Sequence, residues 1–384
     1  MQITGIICEY NPLHLGHKKQ IDQIRAAYPD GAIVCLMSGN YVQRGYPAIF
    51  DKMTRANAAI VSGADLVLEL PITATLSSAE GFAAKGVQIL SPICNRLCFG
   101  AETAETKTLW AVAKALLTPE FSYALKEELT KGVSFPAARQ QALCKLGIEA
   151  DVLSQPNNIL AVEYCKAILT QDSAMEIMPI LRQGDYHDTL PNEENPSATS
   201  LRNLIVTEKN WQSYVPEPAI SLFANANRHC LQYGQQAILS KLRTMTDEEF
   251  EALPYGSEGL WRKLMHASRK YATLDEILNA VKSKRYTRTR LDRMVLCAFL
   301  GITEDVLNSP VPYVRVLAFN DMGREVLKQF RTVGEFPNIG QPMFSPYQQL
   351  ENRCTSLYGL FSEVPESPEN ESKYRVYYKK SGEA

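Results

Sequence analysis

The 384-residue sequence predicts an α/β protein, with a wound parallel-sheet domain over residues 1–213 and a mainly helical domain over residues 214–384. Three observations carry this reading. Short apolar runs alternate with helical periods through the first half of the chain, which implies parallel strands joined by right-handed crossovers. After a proline-rich stretch from Tyr214 to Pro218 the apolar spacing becomes helical. The length also exceeds one typical domain core.

Ile3-Thr4-Gly5-Ile6-Ile7-Cys8 reads as the first buried strand, with a helix opening at Lys18-Lys19-Gln20-Ile21. Ala32 to Met37 is a second strand, ending at Ser38-Gly39-Asn40, and a helix follows from Asp51 to Val61. Asp65 to Leu70 is a third strand, Ala79 to Ile89 a helix, and Arg96 to Gly100 a fourth strand. From Glu105 to Gln171 the period is helical, broken at Pro119, Pro136 and Pro156. Met175 to Leu181 adds a strand, and Ser197 to Thr207 a helix with Ser197 near its start. Ala219 to Leu317 is mostly helical in period. The polar tail from Pro365 to Ala384 is expected to be loosely held, with a short strand at Tyr374 to Tyr378. No internal repeat is present.

Composition narrows the class. A hydrophobic fraction of 45% and a charged fraction of 21% suit a globular protein, and a net charge of −2 gives no overall attraction to nucleic acid. Any nucleic-acid surface must be local. The start lacks a basic segment and a small-residue cleavage site, and no apolar stretch reaches membrane-spanning length, so a cytoplasmic protein is expected. Nine cysteines, scattered through apolar segments at positions such as Cys35, Cys165 and Cys297, read as reduced core thiols. Cys94 and Cys98 lack a second ligand pair at metal spacing, so no structural metal is expected.

Asn11-Pro12-Leu13-His14-Leu15-Gly16-His17 stands between the first strand and its helix, and two of the chain's five histidines fall in this one turn. Two imidazoles at a positive helix end can hold phosphate charge, with Gly16 leaving room for a phosphate to approach. Simple helix capping is the plain alternative. The preceding strand and following helix favour a site. In open parallel sheets ligands bind beyond the carboxyl ends of the strands where the winding reverses, so His14, Gly39, Gly100 and Arg182 are expected to converge.

His14-Leu15-Gly16-His17, taken with Ser197-Ala198-Thr199-Ser200-Leu201-Arg202 at a late helix start, resembles the HIGH-motif nucleotidyltransferase superfamily. More closely, Glu9-Tyr10-Asn11-Pro12, Gly39-Asn40-Tyr41-Val42-Gln43-Arg44-Gly45 and Pro156-Asn157-Asn158-Ile159-Leu160 resemble the bacterial tRNA(Met) cytidine acetate ligase family. The likeness extends over most of the chain. Tyr46, where an acidic residue is expected, and Pro196 ahead of Ser197 depart from the family pattern. The resemblance implies a Rossmann-like nucleotidyltransferase domain. It also implies an activity: acetate and ATP form acetyl-adenylate and pyrophosphate, and the acetyl group passes to the exocyclic amine of the wobble cytidine of elongator tRNA(Met).

Under that resemblance His14 and His17 are the catalytic pair, and ATP lies along Ile7-Cys8-Glu9-Tyr10-Asn11-Pro12-Leu13-His14-Leu15-Gly16-His17-Lys18-Lys19-Gln20, with Gly100, Asn157, Arg182, Ser197, Thr199 and Arg202. The chemistry asks for such groups. Acetate is a weak anionic nucleophile and ATP a polyanion, so positioning and positive charge must hold both in line. Lys18 or Lys19 adds charge at the helix start. Ser197, Thr199 and Arg202 bring hydroxyls, helix-end amides and a guanidinium; the plain alternative is an N-cap with an exposed arginine. Gly100 would let adenine or ribose lie against the backbone. Asn157 or Asn158 could read the nucleotide through its amide, with the resemblance favouring Asn157, and Arg182, ahead of Gly184, Tyr186 and His187, would take the nucleotide or acetyl-adenylate. Arg44 and Lys52 form a second basic neighbourhood whose purpose the sequence leaves open. Magnesium is expected with ATP, held through phosphate oxygens and water.

The run from Lys282 to Arg293 holds six basic residues (Lys282, Lys284, Arg285, Arg288, Arg290 and Arg293), one acid, Asp292, and one aromatic, Tyr286. These cations suit RNA phosphates, and Tyr286 could stack on an unpaired base. A charge run is otherwise a solvated face. Two rival functions are an adenylyltransferase acting on a small phosphorylated acceptor and a non-catalytic RNA-binding protein. The long helical second half argues against the first, and the intact His14, Gly16, His17 and Arg202 against the second.

Overall fold

The computed structural model describes residues 1–182, 197–283, 285–330, 334–341 and 345–380. The chain begins β1 (Ile3–Cys8), α1 (Leu15–Ala27), β2 (Ala32–Ser38), β3 (Tyr41–Val42), β4 (Tyr46–Pro47) and α2 (Lys52–Val61). There follow β5 (Leu66–Leu70), α3 (Ile72–Thr75), α4 (Ala79–Leu90) and β6 (Arg96–Ala101). Next come α5 (Thr106–Leu116), α6 (Pro119–Thr130), α7 (Phe135–Lys145), α8 (Pro156–Thr170), β7 (Glu176–Leu181) and α9 (Ala198–Val206). The prolines that interrupt the helical period each open a helix. Pro119, Pro136 and Pro156 sit in the first turns of α6, α7 and α8, where a missing amide costs nothing.

Beyond these lie α10 (Glu217–Ala224), α11 (Leu231–Thr244), α12 (Asp247–Glu251), α13 (Leu260–Lys270), α14 (Leu274–Val281), α15 (Arg288–Leu300) and α16 (Glu304–Asn308). The chain then adds β8 (Val316–Asn320), α17 (Asp321–Phe330), α18 (Pro346–Tyr358), α19 (Asn370–Lys373) and β9 (Tyr377–Lys379). Among the described residues no helix is long and apolar enough to cross a membrane.

One seven-stranded sheet runs β7-β6-β1-β2-β5-β8-β9. The first five strands are parallel, β8 is antiparallel to β5, and β9 is parallel to β8. From β1 the chain winds outward through β2 and β5, then returns to place β6 and β7 on the other side. The winding therefore reverses between β1 and β6. Alternation along β2 serves both faces: Val34 and Leu36 pack under α4, α5 and α8, and Ile33, Cys35 and Met37 under α1, α2 and α9. A third apolar cluster lies among the helices α11 to α16 and α18 and takes Tyr41, Ile72 and Leu76 from the first half.

Residues around the expected boundary are packed: Trp211, Val215, Ala219 and Phe223 are buried, and Phe223 stacks on Phe50 with centroids 4.8 Å apart. With β8 and β9 completing the sheet, the parts before and after residue 214 share it. As far as it is described, to residue 380, the tail is held rather than loose as expected. Glu371 is buried, and β9 pairs with β8 from Tyr377 to Lys379, slightly later than the strand expected at Tyr374 to Tyr378. All nine cysteines are unpaired, and Cys35, Cys165 and Cys297 lie in the core.

Candidate active site

At the carboxyl ends of β1, β6 and β7 the sheet opens into a cleft of about 590 Å³. Its wall includes His14, His17, Gly100, Asn157, Arg182, Ser197, Thr199 and Arg202, drawn together from across nearly two hundred residues of sequence. This is the place where the winding reverses, as open parallel sheets require. Gly39 is elsewhere: the position a Cβ would occupy there lies 2.6 Å from Glu69 Oε1, so that turn faces a buried ion cluster.

His14 is the N-cap of α1 and His17 its third helical residue. The Gly16 N–H donates to His14 Nδ1 at 3.1 Å, and the His14 N–H donates to His17 Nδ1 at 3.3 Å. Each ring therefore carries its proton on Nε2 when neutral. Neutral is what the site dictates. Burial holds His14 well below the usual histidine range, reinforced by His17, Arg182 and Arg202. Burial and then the Arg182 charge push His17 down to about 3. Capping and phosphate binding are thus one arrangement: Nδ1 closes the helix end and Nε2–H is left for a ligand.

Gly16 has a use inside the protein itself. A Cβ there would lie 3.0 Å from His14 Cε1, so the missing side chain seats the His14 ring. Gly100 behaves likewise, because a Cβ would lie 3.0 and 3.1 Å from Arg182 Cγ and Cδ. It makes room for the arginine stem while remaining part of the cleft wall. Arg182 Nη1 reaches Asn157 Oδ1 at 3.5 Å. Asn157 is in turn fixed by Glu102, whose Oε1 accepts from Asn157 Nδ2 at 2.5 Å while Oε2 accepts from the Asn158 N–H at 2.8 Å. A carboxylate at a helix start stabilises both. Glu102 lies just past β6, a position whose value only the fold reveals.

From the opposite side, Ser197 caps α9 by accepting the Ser200 N–H at 3.1 Å. Arg202 donates to the Asn11 carbonyl at 2.8 Å and to Thr199 Oγ1 at 3.0 Å, and its guanidinium lies 5.4 Å from the Tyr46 ring. Tyr46 thus supplies an aromatic face where the family pattern suggested an acid. Pro196, Gly184, Tyr186 and His187 lie outside the described residues.

Of the run from Ile7 to Gln20, the wall receives Ile7, Cys8, Glu9, Tyr10, Asn11, His14, His17 and Gln20. Pro12 and Leu13 are buried, and Leu15 and Gly16 belong to the first helical turn. Lys18 pairs with Asp22, and neither it nor Lys19 lines the cleft. Tyr10 holds φ 45°, a left-handed conformation costly for an aromatic residue, with its ring edge-on to His17 at 4.9 Å. Beneath them the fully buried Arg55 donates to the carbonyls of Phe50 at 2.9 Å, Glu9 at 2.5 Å, Ser38 at 3.2 Å and Gly39. One guanidinium thereby ties the carboxyl ends of β1 and β2 to α2. Glu9, raised above the usual carboxylate range by burial, accepts the Gln43 N–H at 2.7 Å and places the Gln43-Arg44-Gly45 turn at the rim.

Sequence reading missed the apolar part of the wall, where Phe82, Phe99, Leu153, Leu160 and Tyr164 form a surface suited to a flat base. Apolar helix positions look like core until the fold shows which face a cavity. Lys52 is no phosphate ligand: it is buried against Glu69 at 2.9 Å and Glu371 at 2.8 Å. Among the described residues no three His, Cys, Asp or Glu side chains cluster as a metal cage.

The basic run divides. Lys282 and Arg285 are exposed, and Arg285 pairs with Glu258. Arg288 pairs with Asp275 and Asp292, and Arg290 donates to the Tyr255 carbonyl at 2.8 Å. Arg293 is buried at the wall of the cleft. Tyr286 is 4% exposed, with Lys263 and Arg290 over its ring, so it is core and cannot offer a face to a base. Lys284 lies outside the described residues.

A wound parallel sheet, with a neutral histidine pair at its first helix start and a Ser-Ala-Thr-Ser-Leu-Arg helix start facing it, defines a nucleotidyl transferase of the HIGH class. The family described as HIGH nucleotidyl transferase matches residues 1–373. A tRNA(Met) cytidine acetate ligase of Clostridium acetobutylicum is 37% identical over 387 residues, covering 94% of this chain and 96% of that protein. One of Acetivibrio thermocellus is 33% identical over 95% of this chain and 96% of its own. The crystal structure of Thermotoga maritima TmcAL superposes with a TM-score of 0.90 at 27% identity, over 99% of this chain and all of that one. The same protein bound with alpha-thio ATP gives 0.87. The chain belongs to the HIGH nucleotidyl transferase family and, within it, to the tRNA(Met) cytidine acetate ligases.

Proposed function

We propose that this protein activates acetate with ATP and transfers the acetyl group to the exocyclic amine of the wobble cytidine of elongator tRNA(Met). An acetate oxygen attacks the α-phosphorus, and the bond to pyrophosphate breaks. The cytidine amine then attacks the acetyl carbonyl, loses a proton, and AMP departs. The observation that carries the reading is the pair of Nδ1-anchored neutral imidazoles facing Arg182 and Arg202 across one cleft. Preorganised donors aimed at developing phosphate charge need no covalent enzyme intermediate.

His14 and His17 donate from Nε2 to phosphate oxygens, with Arg202 and the α9 start opposite them on the departing pyrophosphate. Arg182, braced by Asn157, holds the nucleotide on the β6–β7 side. Magnesium fits as the companion of the nucleotide, coordinated by phosphate oxygens and water, where it would neutralise triphosphate charge. Lys282 and Arg285, both exposed, are the cations of the basic run offered to RNA phosphates.

The test is mass spectrometry of nucleosides from unmodified elongator tRNA(Met) after incubation with the protein, ATP, magnesium and isotopically labelled acetate. Labelled N4-acetylcytidine is expected. ATP split to AMP without labelled nucleoside would retain acetate activation and reject the acceptor.

A further inference from the structure

The start of α15 and one buried guanidinium form a side of the cleft that the nucleotide groups above do not use. Thr287 precedes α15 without capping its first amides through its side chain. Thr289 and Arg293, one turn apart on the same helix face, both line the cleft. Arg293 is 9% exposed, and its Nε has no hydrogen-bond partner. Its Nη1 reaches the Gln43 carbonyl at 3.5 Å, and its Cζ lies 5.0 Å from the Tyr255 ring. Among the described residues no carboxylate lies within ion-pair distance of it, and the adjacent Asp292 is taken by Arg288 Nε at 2.9 Å. A buried guanidinium that no described carboxylate contacts, beside helix amides that also lack a side-chain cap, is suited to receive an anion.

The position is built, not incidental. Gly45 holds φ +86°, and a Cβ there would lie 2.5 Å from the Arg293 nitrogen. The Gln43-Arg44-Gly45 turn is thus pressed against the helix and locks α15 to the rim. Triphosphate charge already has His14, His17, Arg182, Arg202 and Thr199 on other elements. α15 instead continues the basic run whose Lys282 and Arg285 lie exposed outside the cleft. A strand of RNA following that run meets the α15 start next.

We propose that the amino end of α15, with Thr289 and Arg293, is a phosphate subsite that grips the RNA backbone beside the base being acetylated. This rests on the ligase reading above. By holding that phosphate at the cleft wall, the subsite turns the base inward toward the adenylate, and it makes α15 the physical link between RNA binding and chemistry.

The experiment uses the full-length protein with anticodon stem-loop RNA in which single phosphates around the wobble cytidine are replaced by neutral methylphosphonates. In the wild-type protein one neutral linkage should lower kcat/KM for RNA about 10- to 100-fold, the loss of one charged hydrogen bond. Arg293→Gln with natural RNA should show a similar loss, carried by kcat/KM for RNA rather than by KM for ATP or acetate. Arg293→Lys should recover part of it. Combining Arg293→Gln with the neutral linkage should add little further, as expected for two halves of one interaction. Additive losses, indifference to every neutral linkage, or a loss in Arg293→Gln that falls on KM for acetate or ATP would each overturn the subsite. If Arg293→Gln does not fold, the linkage scan on wild-type and Thr289→Val protein decides alone. Absence of acetylated natural RNA from the wild-type protein would overturn the ligase reading, and the subsite with it.

Discussion

The rings of His14 and His17 stack with centroids 3.8 Å apart, and His17 Nδ1 accepts the backbone N–H of His14 itself. Each histidine is thereby part of the other's support. Removing either disturbs both a donor and the helix start that aims its partner. His17→Ala is expected to reduce acetate-dependent AMP formation about 10²- to 10³-fold, the usual cost of deleting a preorganised donor. RNA affinity in a filter-binding assay should change less than twofold. Retained AMP formation would remove His17 from the chemistry.

The same geometry has a consequence for acid stability. His17 in the folded protein titrates at about 3, and His14 also lies well below the usual range. An unfolded histidine titrates near 6.5. As pH falls below about 6.5 the unfolded chain takes up protons that the folded one refuses, so stability is lost progressively toward pH 3. Thermal unfolding between pH 7 and 4 should show a steeper fall for the wild-type protein than for His17→Asn. Parallel curves would mean that the ring is already charged in the fold.

Arg182 depends on Gly100 for space. A methyl group at Gly100 would come within 3.1 Å of the Arg182 stem and push a flexible side chain aside. Gly100→Ala should raise KM for ATP by less than about tenfold, and Arg182→Ala, which removes a charged hydrogen-bond donor, should match or exceed that effect. In the double variant the glycine change should add nothing. A Gly100→Ala effect that persists without Arg182 would return the glycine to direct contact with nucleotide.

Much of this site is legible in the sequence because β1, β2, β5 and β6 are short, mostly apolar runs and the histidine turn follows the first of them. Strand ends plus the winding rule then place His14 and Arg182 together. Gly39 obeys the same rule of position but not of direction, since its turn faces Glu69. The burial of Tyr286 and Lys52 is not legible, because aromatic and charged types do not announce it; each is buried by partners from remote segments, Glu258 for one and Glu371 for the other. The tail reads as loose for the same reason. Its polar composition hides a carboxylate that completes an ion cluster in the interior.

That cluster joins Lys52 and Arg315 to Glu69, Glu351 and Glu371, linking α2, β5, α18 and α19. Three carboxylates face two cations in low dielectric. Burial and the nearby Glu69 push Glu351 up to about 7 against the pull of Arg315 and Lys52. Lys52→Met would leave the acids undercompensated and should cost about 3–5 kcal/mol of stability. Glu351 supplies a pH signature of its own. Its folded value lies above the unfolded one, so the stability it confers is present below pH 4.5 and is lost as pH rises toward 7. Glu351→Gln should flatten the fall in Tm between pH 5 and 8, and an unchanged slope would show that the acid is ionised throughout.

The basic run makes unequal demands on its arginines. Arg285 has a side chain 67% exposed and, among the described residues, a single exposed carboxylate partner, Glu258. Arg288 is 37% exposed and held by two carboxylates, Asp275 at 3.1 Å and Asp292 at 2.9 Å. An RNA phosphate must displace those carboxylates before Arg288 can serve it, whereas exposed ion pairs such as that of Arg285 hold weakly. Replacing both residues by Ala should therefore weaken tRNA binding and reduce the slope of log affinity against log salt, by about 0.7 for each single-strand phosphate no longer neutralised. Arg285→Ala alone should account for most of that change and Arg288→Ala for little. Equal contributions would mean that RNA binding rearranges the start of α15, and an unchanged salt slope in the double variant would make the run a plain solvated face.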